Sequence, residues 1–300
     1  MSRSTRVSGP PAREAPATGA RLLRGDRPGR SARQGSRPRV AATKLVDTAH
    51  MHPTLATFVA EHVLDARLAA LLWLLVEGGV PAVAIGSAPS ERRATLLGAL
   101  LSVIPERPWV VLDADAEPLT MSRLAAVLRG GPGLGVVLSA SDLRMGLERL
   151  SAPAGDLPSD AARRLGTVLV IDETPRGTRC SAAHYLRPTE RDGQGHLQRR
   201  PPAVLAAWDQ SADVYEDYAW AITPELADRV DRSQADLEER LKDRAGFLSA
   251  MARDSGLAAD VWTAVVTRYL ATEPKRTPAP PRPPTQASPS PGRRGDAHHH

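Results

Sequence analysis

The alternation of helical and extended segments between about residues 43 and 272 predicts an α/β fold with a largely parallel sheet. The clearest stretch is Leu68 to Leu101, LAALLWLLVEGGVPAVAIGSAPSERRATLLGALL. It reads as a helix, a tight Gly-Gly stop, a short buried strand, a polar loop and a second helix. Short apolar runs at Trp109 to Leu112, Gly135 to Leu138 and Val168 to Ile171 repeat the strand signal between helical patterns.

Taken in order, Leu55 to Val63 is a short helix, and Asp65 is the N-cap of the helix that stops near Gly78-Gly79, with Trp73 on its apolar side. Val80 to Ile85 is the first strand and Arg92 to Val103 the helix after the loop. Trp109 to Leu112 is a strand, Thr120 to Arg129 a helix ended by Gly130-Gly-Pro-Gly133, Gly135 to Leu138 a strand, and Ser141 to Leu150 a helix. Ala152 to Asp160 is a polar loop. Val168 to Ile171 and Cys180 to Leu186 form two strands joined through a hairpin-type turn at Thr174 to Gly177. Ala203 to Trp208 and Tyr215 to Ile222 are extended or mixed. Ser233, with Asp236 three residues on, caps an amphipathic helix carrying Leu237, Leu241, Leu248 and Met251. The last helix, Ala258 to Leu270, places Val261, Val265 and Tyr269 on one face.

A strand ending in glycine, a loop and a helix N-terminus form the setting in which a phosphate-binding loop normally sits. That loop requires G-x-x-x-x-G-K-[ST]; the chain offers Gly86-Ser87-Ala88-Pro89-Ser90-Glu91-Arg92-Arg93. Glu91 puts a side chain and a negative charge where a second glycine lets backbone N–H groups approach phosphate. Arg92 is a bulkier cation than the lysine it replaces. Arg93 has no hydroxyl to ligate Mg²⁺. The ordinary alternative is a strand-turn-helix connection with Glu91 favouring the helix dipole.

Charge is unevenly spread. Residues 1–50 hold ten Arg and one Lys against three acids, a charge of +8; the tail from Glu273 holds five bases against two acids, +3. The whole chain is +5, which leaves −6 for residues 51–272. A basic nucleic-acid-binding core is therefore disfavoured, and contact of the tails with phosphate or anionic lipid would be weak and salt-dependent. The expected organisation is a flexible basic arm at 1–42, an α/β core at 43–200, a mixed and helical C-terminal part at 201–272, and a Pro-rich tail at 273–300. The first thirty residues lack the apolar stretch of a secretory signal. Leu68 to Val76 is half a membrane span. The lone Cys180 has neither a disulfide partner in the chain nor metal-ligand spacing. A protein of a reducing cytoplasm is expected.

The segment LAALLWLLVEGG…AVAIGSAPSERRATLLGALLSVIP resembles the region around the phosphate-binding loop of type II and type IV secretion and pilus-assembly ATPases. In that family a similar leucine-rich helix precedes the strand, and a helix ending in S-x-I-P follows the loop. WVVLDADAEPL is similar to its acidic strand end, with Asp113 or Asp115 and Glu117 at the carboxylate positions. Trp208-Asp209, Asp213, the helix with Arg244 and Phe247-Leu248, and the final helix ending in Tyr269-Leu270 are similar to its closing helical subdomain. The resemblance covers residues 50–272. It implies a reduced RecA-like P-loop NTPase core with a C-terminal helical subdomain, and ATP and Mg²⁺ as the family's cofactors. It also implies a homo- or hetero-oligomer with a secretion or pilus ATPase, docked on an integral-membrane platform protein at the inner face of the membrane.

The middle departs from the family. About fifteen residues separate Glu117 from Gly133, where the family places a second acidic box, a catalytic glutamate and a paired-histidine box. Ser139 stands where a histidine would, and no histidine occurs between His62 and His184. One catalytic candidate remains: Val168-Leu-Val-Ile-Asp172-Glu173 has the form of a Walker B strand, with Asp172 to hold Mg²⁺ and Glu173 to activate water. The competing reading is a strand pair that happens to end in acids. His184 lacks a Ser or Asp partner in pattern, and no nucleophile elbow is present. The loop arginines 187, 191, 199 and 200 read as solvated charge. The expected function is a pseudo-ATPase subunit or regulator of a secretion-type assembly. The alternatives are a residual ATPase using Arg92 as phosphate clamp, or an interaction module with basic tails.

Overall fold

A computed structural model describes residues 53–105, 107–117, 119–131, 133–151, 158–191, 196–254 and 258–274. The basic arm expected at 1–42 and all but the first two residues of the Pro-rich tail lie outside the described residues. The elements run α1 (Leu55–Ala60), α2 (Ala66–Glu77), β1 (Ala82–Ile85), α3 (Ser90–Leu101), β2 (Trp109–Asp113), α4 (Met121–Gly130), β3 (Gly133–Val137), α5 (Leu143–Ser151) and α6 (Ser159–Ala162). They continue with β4 (Thr167–Thr174), β5 (Gly177–Tyr185), β6 (Glu190–Arg191), β7 (Leu197–Gln198), β8 (Ala203–Asp209), β9 (Val214–Asp217), α7 (Thr223–Arg229), α8 (Gln234–Ala252) and α9 (Ala259–Thr272).

Seven strands form one sheet in the order β2-β3-β1-β4-β5-β8-β9, and β6 with β7 makes a separate ribbon. The first four are parallel; β5, β8 and β9 add antiparallel. The sheet is therefore mixed, with its parallel half built from the β1–β4 crossovers. On one face, Ala82, Ala84, Leu169 and Ile171 pack with α1, α2, α3, α8 and α9. On the other, Val83, Ile85, Val136, Val168 and Val170 pack with α4, α5 and α6. Helix α2 is buried continuously from Leu68 to Val76, which explains why its sequence is apolar all round rather than striped.

Local chemistry sets the ends of the helices. Asp65 caps α2 by accepting the Leu68 N–H at 2.7 Å, and Gly79 at φ +80° turns the chain out of it. Ser233 caps α8 by accepting the Asp236 N–H at 3.2 Å. Ser233→Ala should cost about 1 kcal/mol of unfolding free energy in urea titration; no change would mean the cap bond contributes nothing net.

Several sequence expectations are corrected. Helix α1 stops at Ala60, before the turn made by His62 at φ +59°. Ser159 and Asp160, read as loop, open the short α6; residues 152–157 lie outside the described residues. The segment after Tyr218 is a 3₁₀ turn leading into α7, a helix the sequence did not announce. On α9 the buried residues are Trp262 and Val266, while Val261 is exposed. β8 pairs with β5, and α8 packs on α2. Among the described residues no helix is long and apolar enough to cross a membrane.

Candidate functional site

The order β2-β3-β1-β4 puts a topological switch point between β1 and β3. The chain leaves β1 toward α3 on one face and leaves β3 toward α5 on the other. In open α/β sheets such a divergence at the carboxyl edge opens a crevice where ligands bind. The loop Gly86 to Arg93 and the residues from Leu138 to Ser141 meet here.

Gly86 has φ +114° and donates its N–H to the Ala140 carbonyl at 2.8 Å. A Cβ at this position would lie 2.2 Å from the Ile171 carbonyl oxygen. Glycine is required by the close approach of β4's backbone. Ser87 follows, and both its N–H and its hydroxyl donate to Asp172 Oδ1, at 2.8 and 2.9 Å. The same hydroxyl oxygen accepts the Glu173 N–H at 3.1 Å, and Ala88 N–H donates to the Ile171 carbonyl at 3.0 Å. Asp172 Oδ2 accepts the Ser181 hydroxyl at 2.5 Å. Glu173 Oε1 accepts the Thr178 hydroxyl at 2.7 Å across the β4–β5 hairpin.

Pro89 precedes α3 without a side-chain cap, and Ser90 and Glu91 are exposed in its first turn. Arg92 turns away from the loop: it pairs with Glu61, and its guanidinium lies 4.7 Å from the Phe58 ring centre. Arg93 turns inward and is buried, donating to the Leu138 carbonyl and, at 3.4 Å, to the Ser139 hydroxyl. Burial lowers its pKa below the usual guanidinium value, and Asp115 and Asp113 partly offset that.

The acidic strand end grips the same segment from the other side. Asp113 Oδ1 accepts the N–H groups of Asp115 and Ala116 at 2.9 and 3.1 Å, an Asx turn closing β2. Asp115 Oδ2 accepts the Ser139 N–H at 2.7 Å, and its Oδ1 accepts from Arg149 at 2.9 Å. Arg149 also donates to the Ser139 carbonyl. Glu117 pairs with Arg123 at 2.8 Å. Ser139 thus sits between Arg93, Asp115 and Arg149.

The fold therefore brings Asp172 and Glu173 to the loop, and leaves Asp113, Asp115 and Glu117 beyond β3 on the other side of β1. The inward role of Arg93 and the reach of Arg149 were not read from the sequence. Helical position separates Arg92 from Arg93 by a hundred degrees, but nothing local says which of them faces the sheet.

ATP and Mg²⁺, which the family resemblance implies, do not fit this loop. The Ser87 N–H in the loop already binds the Asp172 carboxylate, and Glu91 puts a second carboxylate in the first turn of α3, where the helix would face a phosphate. No lysine stands in the loop, and Arg92 is engaged with Glu61. Among the described residues no group of three or more His, Cys, Asp or Glu side chains is arranged to hold a metal ion. No protein-family model matches the chain, and no curated protein matches it.

Proposed function

We propose that this chain is a non-hydrolytic assembly subunit built on a RecA-like P-loop scaffold, a pseudo-ATPase of the secretion and pilus-assembly type. One observation carries the reading: the anion held by the loop after β1 is the chain's own Asp172. A triphosphate entering here would meet the Asp172 carboxylate bonded to Ser87 and the Glu91 carboxylate in the first turn of α3, so like charges would oppose it. The supports of a phosphate-binding loop are retained, with strand, turn and helix in sequence at the carboxyl edge of a parallel sheet. Its chemistry is replaced by an internal bond that closes β1 against β4. In this reading the subunit contributes surfaces to a homo- or hetero-oligomer with a competent ATPase at a membrane platform protein.

The test is isothermal titration of the full chain with Mg-ATP, alongside steady-state phosphate release. No heat of binding at millimolar nucleotide and no turnover are expected. Micromolar binding accompanied by turnover would overturn the reading. The residual-ATPase alternative needs Arg92 on the phosphates, and its pairing with Glu61 speaks against it.

A further inference from the structure

We infer that the outer edge of β2 joins two copies of this chain in an antiparallel, two-fold strand pair. In the β2–β3 ladder the register Trp109↔Gly133, Val111↔Gly135 and Asp113↔Val137, with Gly133 N–H bonded to the Pro108 carbonyl and Ala114 N–H to the Val137 carbonyl, fixes the parity. The backbone groups of residues 108, 110, 112 and 114 face β3. Those of Trp109, Val111 and Asp113 face outward. β2 ends the sheet, and among the described residues no strand pairs with that row.

Proteins blunt such edges with charge, proline or bulges inside the strand. The opposite edge does this: β9 is the four-residue VYED, with Asp217 paired to Arg67. β2 reads WVVL before its first charge, and Trp109 is 45% exposed over Gly98 of α3. Asp113 gives its carbonyl to the Glu117 N–H at 3.0 Å, so the open part of the row is Trp109, Val111 and the Asp113 N–H. Such a row specifies an extended strand as its occupant, and the edge is self-complementary. Outward groups sit only on odd residues, so odd must pair with odd. A two-fold axis at Val110 sets Trp109 opposite the second copy's Val111, an aromatic and β-branched pair. The same axis sets Arg107 opposite the second copy's Asp113, where the side-chain charges are opposite. The Arg107 N–H and the Asp113 carbonyl are already bonded to Ile104 and Glu117 within the chain, so the intermolecular ladder consists of the two Trp109–Val111 pairs. An isologous contact of this kind closes on itself as a dimer. The inference concerns a different edge from the loop and does not depend on whether that loop binds nucleotide.

Sedimentation equilibrium of the full chain should give a concentration-dependent mass approaching twice the 32.1 kDa of one chain. Val111→Pro removes an outward N–H without touching the bonds to β3, and Trp109→Lys adds a charge at an exposed position. Each should return the chain to monomer with an unchanged circular dichroism spectrum. The register is read by oxidation. Val110→Cys places two thiols across a non-hydrogen-bonded pair, with Cα atoms about 4.5 Å apart, within disulfide reach. It should cross-link, whereas Trp109→Cys should not; the native Cys180 is buried and takes no part. A monomer at every concentration, a dimer indifferent to both edge variants, or cross-linking through position 109 and not 110 would overturn the inference.

Discussion

Gly86→Ala should abolish a soluble, cooperatively folding protein. The residue holds φ +114°, outside the region L side chains adopt, and an added Cβ would lie 2.2 Å from the Ile171 carbonyl oxygen. That oxygen belongs to β4's backbone and already accepts the Ala88 N–H, so it has no flexible end to swing aside. Relief would require β1 and β4 to part at the centre of the sheet. Backbone strain alone costs about 1–3 kcal/mol, and the collision takes the total beyond about 4 kcal/mol. Stabilities are typically about 5–15 kcal/mol. The control is Gly131→Ala: φ is +74° there, but nothing lies within 4 Å of the added atom. It should lose only the left-handed penalty of about 1–2 kcal/mol. Urea unfolding of both variants decides the matter. Equal losses would mean that contact with β4 is not what demands glycine at position 86.

How much of this was readable in sequence depends on the range of the interaction. Asp65 and Ser233 announced their helices because a cap is written within four residues. The strand-loop-helix around Gly86 was legible for the same reason, although the cause of the glycine was not. Its neighbour is Ile171, and the register of β1 against β4 is set by the whole sheet. The bond between Ser87 and Asp172 spans eighty-five residues and has no local signature. Helix α7 escaped because Thr223-Pro-Glu-Leu-Ala-Asp-Arg229 is too short to show a period. On α9 the pattern pointed to Val261, whereas packing against Phe247 selects Trp262 one position on.

The same contrast organises the carboxyl edge. The sequence offers Asp172 as a Mg²⁺ ligand and Glu173 as a base, and the family resemblance implies an acidic strand end at Asp113, Asp115 and Glu117. Topology divides them, and Asp113, Asp115 and Asp172 each hold a loop while Glu117 pairs with Arg123 and Glu173 with Thr178. Asp172 closes β1 to β4, Asp115 with Arg149 fixes the end of β3, and Asp113 shapes the turn after β2. Buried Arg93 joins α3 to that end of β3 from within.

Arg244→Ala should be the most damaging change in the helical layer, lowering the unfolding free energy by about 3–5 kcal/mol. The guanidinium on α8 is fully buried. Its Nε and one terminal nitrogen donate to the two oxygens of Glu273 at 2.8 and 2.7 Å, and the other terminal nitrogen lies 2.8 Å from Glu77. It also stacks 4.5 Å from the centre of the Trp73 ring. One side chain thus fastens the end of α2 and the end of α9 to α8. Burial works against its charge, but Glu273 and Glu77 outweigh it and hold its pKa above the usual value. Alanine would leave Glu273 nearly enclosed without a cation, and a gap beside Trp73. The midpoint of thermal unfolding should fall by roughly 10 °C. Arg244→Lys should recover little, because an ammonium cannot make the planar two-point bond and reach Glu77 as well. Removing these three charges together, with Arg244→Met, Glu77→Gln and Glu273→Gln, should restore much of the loss. Arg232, which also pairs with Glu77 at 3.3 Å, keeps Asp236 at 2.6 Å, so no buried ion is left alone. Should Arg244→Ala cost less than about 1 kcal/mol, the cluster is behaving as a surface ion pair and does not lock the helices.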